Sequence, residues 1–494
     1  MSYKMKKLAT SILLLAAVLA PVAADARNVS MQEAREAAAF YMQQNAMHGD
    51  VKASDLRLVY QFDNENLGVA ESYVFNVSDW GWIIMTGSTA AEPVIGYSDN
   101  GTIDQWDLMP DNMRWWVEGF SQMVGEIQDD DQTGKFDDMA EWTNLLNRVP
   151  KASPKDDPRV ILLDSFWEQG ENRGATYNLR CPYDSTVNKY TYVGCVATAL
   201  SQIIRYYGFP LQATGGRKNY STRTSRYRVK LDFDTLHFDY SLMPVRLNSS
   251  SSQAQIDEVA RLCFAVGVSV QMDYGVDGSG AFSDKVPTSM SSYFKYETGT
   301  MTERDLTTTN NFLNILRNDL MLRRPVYMGG ASQGGSGRDA AGHAWVCCGY
   351  RTDNEDMYYM NWGWGRAGDG FFNLRQNDMN PSGFSYNFKL RQEHITGIIP
   401  PHADSTTVNF LAIESAEGTT VLEAAYPNPA FQSVAIPYST TTAGEMQIFG
   451  IDGKLVATRR LQAGSGRVEL SVAGMPAGIY VYRLGGQSGK FIVR

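Results

Sequence analysis

The 494-residue chain carries 44 Lys and Arg against 54 Asp and Glu, a formal net charge of -10. That sign, spread along the chain, excludes a nucleic-acid binder and a basic membrane-surface protein. Hydrophobic residues make up 43%, enough for ordinary cores, and at ~100–200 residues per domain the length predicts about three domains.

The first residues read as an export signal. Lys4, Lys6 and Lys7 precede an apolar run over 8–22, and Ala24-Asp25-Ala26 supplies a small-x-small cleavage site. Residues 1–26 are therefore expected to be removed on secretion. Cys181, Cys195, Cys263, Cys347 and Cys348 are an odd set, with no CxxC pair and no zinc spacing. In an exported chain this predicts a free thiol, not a disulfide framework. No metal or other cofactor is expected.

Residues 27–150 read as an accessory α+β unit. Ser30 and Glu33 form a capping box ahead of an Ala-rich helix over 34–47. Strands follow at 56–62, 72–77, 82–86 and 94–97, then a helix at 113–127 behind Pro110. The unit offers no nucleophile, metal cluster or phosphate loop. Residues 151–158 are rich in proline and charge, which marks an exposed linker open to proteolytic cutting.

Residues 159–400 are rich in glycine and aromatics. From Cys195, the residues Val196, Ala199, Leu200, Ile203, Ile204 and Tyr207 recur at helical spacing until Gly208 and Pro210 stop the run. A second helix is expected at 255–266, and strands at 325–328, 343–350, 356–362 and 369–374. Helices first and strands later predict an α+β domain. After a linker at 401–420, short alternating strands at 433–438, 445–449, 467–472, 479–484 and 491–494 predict a small β-sandwich over 421–494. It contains no histidine or cysteine, so no chemistry is assigned to it.

The chemistry centres on Cys195, which follows Gly194 at a helix N-terminus. Unpaired N–H groups and the macrodipole there favour a thiolate and lower the thiol pKa. The alternative is a small buried hydrophobe. A thiol nucleophile needs a base, and of His48, His237, His343, His394 and His402 only His343 opens a strand inside the same domain. Asn361, in Asn361-Trp362-Gly363-Trp364-Gly365, offers an amide oxygen to orient the imidazole, with Trp362 to shield that bond and Trp364 as a packing residue. The Cys195 N–H and Gln169 are candidate oxyanion donors.

These residues resemble the streptopain family of papain-like cysteine peptidases. The resemblance is carried by Trp167-x-Gln169, Gly194-Cys195-Val196-Ala197-Thr198-Ala199, Met272-Asp273-Tyr274-Gly275, Gly342-His343-Ala344-Trp345 and Asn361-Trp362-Gly363-Trp364-Gly365. It implies a papain-like domain, a helix carrying the cysteine beside an antiparallel sheet. It implies Cys195 as nucleophile, His343 as base, Asn361 as orienter, Gln169 in the oxyanion hole and Trp362 as shield. It also implies a substrate pocket near the 272–283 loop that favours apolar side chains two positions before the cut, with Tyr274, Gly280, Ser283, Gly342 and Trp364 as substrate-binding residues. Two features depart from the pattern: Arg366 stands where glycine is expected, and a basic run spans 217–230.

The flanks carry resemblances too. Tyr73-Val74-Phe75-Asn76 and Val94-Ile95-Gly96-Tyr97-Ser98-Asp99 are similar to the family's inhibitory propeptide, which makes the chain a zymogen activated by cuts in 151–158. Tyr426-Pro427-Asn428-Pro429, Gly450-Ile451-Asp452-Gly453-Lys454-Leu455 and Gly478-Ile479-Tyr480 resemble the sorting domain of the type IX secretion system. The expectation is a secreted or cell-surface cysteine endopeptidase. Its partners are protein or peptide substrates, its own propeptide and the type IX machinery, with no nucleic acid. The alternatives are a thiol acyltransferase or amidase on the same site, and a non-enzymatic surface-binding protein.

Overall fold

Ser30 takes the Glu33 backbone N–H while the Glu33 carboxylate takes the Ser30 N–H, so the expected capping box opens α1 (Met31–Asn45). The helix starts three residues earlier than apolar spacing suggests because the box makes Ser30 the N-cap. Next come β1 (Leu56–Asn64), β2 (Val69–Val77), β3 (Gly81–Thr86) and β4 (Val94–Ser98), an antiparallel meander. Helix α2 (Asp111–Asp130) packs on β1 and β2, and α3 (Ala140–Leu146) on α1.

This computed structural model describes residues 26–46, 49–130, 139–151, 157–170, 177–331, 342–375, 391–401, 420–422, 425, 430, 432–440, 443–450, 454–462, 464–484 and 487–493. The signal segment up to residue 25, residues 152–156 of the linker, and the 426–429 motif lie outside it.

The large region begins with β5 (Arg159–Ile161) and the hairpin β6 (Tyr183–Asp184) and β7 (Lys189–Tyr190), then α4 (Cys195–Tyr207). A second hairpin, β8 (Arg217–Ser221) and β9 (Arg228–Asp232), precedes α5 (Gln253–Ser269), α6 (Val286–Phe294), β10 (Met301–Glu303) and α7 (Thr309–Met321). Strands β11 (Val326–Ala331), β12 (Gly342–Arg351), β13 (Met357–Asn361), β14 (Gly370–Asn373) and β15 (Arg391–Ile395) complete it. The arrangement is the expected α+β architecture, with α4 lying on β11 and β12 and α5 behind it.

A single sheet runs β1-β2-β3-β4-β14-β13-β12-β11-β15-β10, with β5 attached to β12. The accessory unit is therefore continuous with the large region. The seam is short: Phe371 pairs with Tyr97, and Phe372 with Gly96. A Cβ on Gly96 would lie 2.6 Å from the Phe372 ring, so only glycine allows this approach. One apolar core crosses the seam, with Trp82, Trp116, Trp345, Trp362 and Phe372 among its members.

The C-terminal segment holds β16 (Thr420–Leu422), β17 (Ser433–Thr440), β18 (Gly444–Gly450), β19 (Leu455–Leu461), β20 (Gly464–Ser471), β21 (Gly478–Leu484) and β22 (Gln487–Val493). They form two sheets, β16-β17-β20 and β19-β18-β21-β22, around Ile436, Ile448, Leu470, Tyr482 and Phe491. This is the small sandwich expected from the alternation.

Arg351 is the polar anchor of the seam and is 1% exposed. Its guanidinium donates to both Asp353 carboxylate oxygens at 2.7 Å, to the Asn45 carbonyl at 3.2 Å, and to the Tyr97 hydroxyl. Arg351→Ala leaves the buried Tyr97 hydroxyl and the buried Asn45 carbonyl without their donor, so a loss of about 1–3 kcal/mol is expected. Thermal unfolding of the full-length chain should show a Tm several degrees lower. The exposed Arg217→Ala should leave Tm unchanged.

Candidate active site

Gly194 is the N-cap of α4, at φ 89°. A Cβ there would meet the Met272 thioether at 2.7 Å and the Ser279 carbonyl at 3.0 Å, so only glycine fits the turn that presents Cys195. Gly208 closes the helix in the left-handed conformation, its N–H donating to the Ile204 and Arg205 carbonyls. Cys195 is the half-buried first residue of α4.

The backbone N–H groups of Ala344 and Val196 face the Cys195 sulfur. Ala344 follows His343 on β12, so the strand end that carries the imidazole lies beside the thiol. Burial nevertheless pushes the Cys195 thiol above its usual range and outweighs these donors. This corrects the expectation of a depressed pKa at the helix N-terminus, at least while the site is covered. Burial also pushes His343 down; Asp111 draws it back up and Arg114 pushes it further down. Both shifts favour the neutral forms, a thiol beside an imidazole. Among the described residues, no hydrogen bond joins the two side chains.

Gln169 is nearly buried, and its carbonyl takes the Val193 N–H at 2.7 Å, two residues before Cys195. Gly170 packs on the Tyr192 ring, where a Cβ would lie 2.5 Å from it. The segment bearing Gln169 thus runs beside the approach to Cys195. The structure brings Cys195, His343 and Gln169 to one end of α4.

Asn361 is placed differently from expectation. Its oxygen takes the Gln202 Nε2–H at 3.0 Å and the Gly363 N–H at 3.1 Å, and its Nδ2 donates to the Ser165 carbonyl at 2.8 Å. Two donors already occupy the amide oxygen, and among the described residues no hydrogen bond joins it to the His343 ring. Trp362 is fully buried, its Nε1–H on the Gly368 carbonyl and its ring against Trp345 and Phe372. It is a core residue, not a cover over a His343–Asn361 bond.

The expected substrate-binding residues also divide. Tyr274 is fully buried beneath α5, where its hydroxyl occupies the space a Gly267 Cβ would need. It cannot line a substrate pocket. Gly280 bridges to Asp273 through two backbone hydrogen bonds. Ser283 Oγ lies 2.9 Å from the Tyr327 hydroxyl. Gly342 is exposed at the start of β12, and Trp364 is half-buried next to the Gly365 N–H, which bonds the Trp167 carbonyl at 3.3 Å. Arg366 holds the φ of 80° that suits glycine, and its guanidinium sits 4.2 Å over the Phe166 ring.

Gln202 is the residue that sequence reasoning missed. It is fully buried on α4, seven residues after Cys195 and so on the same face. Its Oε1 takes the Ser165 hydroxyl at 3.0 Å and the Trp167 N–H at 3.1 Å. The signal was present: a lone carboxamide within the apolar stripe of the helix.

The accessory unit covers this end of the molecule. Asn112 on α2 donates to the Trp362 carbonyl at 2.9 Å, and Trp116 packs on Trp345 and Trp362. Asp111 and Arg114, on the same first turn, are the charges felt by His343. Asn112→Ala leaves a buried carbonyl unpaired at a cost of about 1 kcal/mol or more, so labelling of Cys195 in the full-length chain by a thiol-directed epoxide should accelerate about fivefold. Iodoacetamide alkylation of the same chain should stay slow through neutral pH and rise only above the ordinary thiol range. A rate already maximal below neutral pH would show a preformed thiolate.

Comparison with known proteins accords with this geometry. The Peptidase C10 family model matches residues 167–372, the Spi protease inhibitor model residues 26–124, and the secretion system C-terminal sorting domain residues 424–494. The chain is 29% identical over 411 residues to streptopain of Streptococcus pyogenes, covering 77% of this chain and 94% of that protein. It is 28% identical over 363 residues to the thiol protease/hemagglutinin PrtT of Porphyromonas gingivalis, covering 70% of this chain and 39% of that protein. A Prevotella intermedia prointerpain A fragment superposes with a TM-score of 0.53 at 23% identity, covering 70% of this chain and 98% of that one, which shows the shared fold. Residues 167–372 of the chain therefore match the Peptidase C10 family, with a segment matching the Spi protease inhibitor before them and one matching the secretion system C-terminal sorting domain after them.

Proposed function

We propose that this secreted cysteine endopeptidase cleaves its substrates through a Cys195 thioester, with His343 as general base and then general acid. The observation that carries the assignment is the Ala344 N–H against the Cys195 sulfur, one residue beyond His343 at the N-terminus of α4. His343 takes the thiol proton as sulfur attacks the scissile carbonyl carbon, then gives it to the departing amine. Water, deprotonated by the same imidazole, hydrolyses the thioester and returns the thiol. The Cys195 N–H and Gln169 hold the negative oxygen of each tetrahedral intermediate. Asn361 acts through Gln202, fixing the end of β13 against α4.

The zymogen reading rests on α2, whose first turn bonds the Trp362 carbonyl and sits within electrostatic reach of His343. Activation is a cut within 151–158, which separates residues 27–150 from the catalytic region. The sandwich over 421–494 delivers the chain to the type IX secretion machinery.

Cys195→Ala should abolish peptide hydrolysis and leave the thermal unfolding curve in place; retained hydrolysis would sink the nucleophile assignment. Labelling with an epoxide inhibitor, read by mass spectrometry, should modify Cys195 and none of the other four cysteines, which are all buried. The label should appear slowly in the full-length chain and fast once the chain has shortened within 151–158. Equal labelling rates before and after shortening would argue against zymogen control.

A further inference from the structure

The basic run over 217–230 folds into the β8–β9 hairpin, which is fastened to the segment that follows α5. The Tyr220 hydroxyl donates to the Met272 carbonyl at 2.9 Å, and the Asp273 carboxylate takes the Thr224 N–H at 3.0 Å and its hydroxyl at 2.8 Å. Between hairpin and segment lies a cavity of about 220 Å³, with Thr222 and Arg223 on one wall and Asp273, Gly280, Phe282 and Lys285 on the other. Among the described residues, none of its lining comes from the sheet that carries His343. The cavity is therefore separate from the place where α4 meets β12.

Positive charge is gathered there on one aromatic ring. Phe282 is exposed, and the Arg223 guanidinium lies 5.1 Å and the Lys285 ammonium 5.7 Å from its ring centre. Lys285 also acts on the half-buried Lys218, whose ammonium donates to the Ser269 carbonyl at 2.7 Å; burial first, and then this like charge, lower the Lys218 pKa. The carboxylate on the wall, Asp273, is already committed to Thr224 and lies 3.5 Å from Arg223. Asp284, next to Lys285 in the chain, acts on Glu393 of β15 instead. The described lining thus sets two cations against one carboxylate. In a chain of net charge -10 this hairpin is a local positive exception.

The cavity stands within reach of the nucleophile. Its Gly280 wall follows Ser279, whose carbonyl oxygen lies 3.0 Å from where a Gly194 Cβ would be, and Gly194 precedes Cys195. Steps of about 3.8 Å between consecutive Cα atoms bring Gly280 within about 14 Å of Cys195. An extended peptide at ~3.3 Å per residue covers that span in about four residues. We propose that this cavity takes an acidic side chain of the substrate, glutamate or aspartate, three or four residues before the scissile bond. The residue two before the cut keeps the apolar preference that the family resemblance implies, and the hairpin adds a charge preference beyond it. A carboxylate seated by Arg223 and Lys285 gains charge-assisted hydrogen bonds and relieves the crowding of positive charge. The inference rests on Cys195 as nucleophile, which sets the register of the peptide against the cavity.

The test uses the full-length chain after activation and peptides that carry glutamate, glutamine or lysine at the third or the fourth position before the cut, with leucine fixed two before it. At one of these positions glutamate should exceed lysine in kcat/KM by about fivefold or more, with glutamine between them. The difference should lie in KM, with kcat within about twofold, because a contact remote from the reacting atoms is the same in ground and transition states. Lys285→Glu should invert the order at that position and leave the glutamine peptide within about twofold. Arg223→Gln should flatten the order, and serves as a second variant should the charge-reversed chain fold poorly. In the wild-type enzyme the glutamate-to-lysine ratio should shrink toward one as salt rises from about 50 mM to about 500 mM.

Equal cleavage of the glutamate and lysine peptides at both positions would overturn the proposal while leaving the nucleophile assignment standing. So would a preference that neither substitution changes. If calorimetry shows inorganic phosphate binding to the wild type and not to Lys285→Glu while the peptide order stays flat, the cavity holds a free anion and the substrate reading falls. Hydrolysis retained by Cys195→Ala would instead remove the nucleophile, and with it the register on which the proposal rests.

Discussion

The buried carboxamide of Gln202 is the joint on which the catalytic end of the molecule depends. It accepts from Ser165 and from the Trp167 N–H, and exchanges amide contacts with Asn361. Three segments distant in sequence are fixed by one side chain: the helix bearing Cys195, the segment leading to Gln169 and the end of β13. Each bond lies in an apolar interior, where an amide is costly unless satisfied. Gln202 therefore specifies the relative position of these segments far more sharply than apolar packing alone. A nucleophile, a base and an oxyanion donor need that sharpness.

Above this joint sits the inhibitory segment, whose grip combines three kinds of contact. Strand pairing at Tyr97 and Gly96 extends the catalytic sheet. Trp116 inserts against Trp345 and Trp362, and Asn112 and Arg351 supply buried hydrogen bonds. The cover changes the chemistry beneath it. Desolvation pushes the thiol up and the imidazole down, so the pair rests neutral. Uncovering the site restores water, and with it the conditions in which a helix N-terminus favours a thiolate. Steric exclusion and electrostatic silencing are two aspects of one packed interface.

Much of this was legible in the sequence because the strongest signals are local. Gly194 and Gly208 bracket an apolar stripe, so α4 and its cysteine could be read directly, as could the capping box at Ser30. The C-terminal strands declared themselves by alternation. What resisted reading depends on contacts between distant residues. Tyr274 sits in a motif that looks like a pocket, but only tertiary packing shows its ring beneath α5. The partners of Asn361 could not be read either, because Gln202, which bonds its amide, lies on another element. Helix α6 is short and carries Pro287 in its first turn, and in the β8–β9 hairpin the alternation of Val229 and Leu231 is set within a basic run.

The seam between β4 and β14 has a consequence for the mature enzyme. While the inhibitory segment is in place, β14 is an interior strand; once that segment leaves, it becomes the border of the sheet. A border strand presents an unpaired row of N–H and C=O groups, ready to accept another strand by addition. Here the row is short, with two residues in register across the seam. Its shortness limits the danger: two rungs suffice to seat a segment already tethered in cis, whose effective concentration is high, but give little purchase to a stranger from solution. Covalent attachment, rather than strand affinity, is what keeps this edge closed.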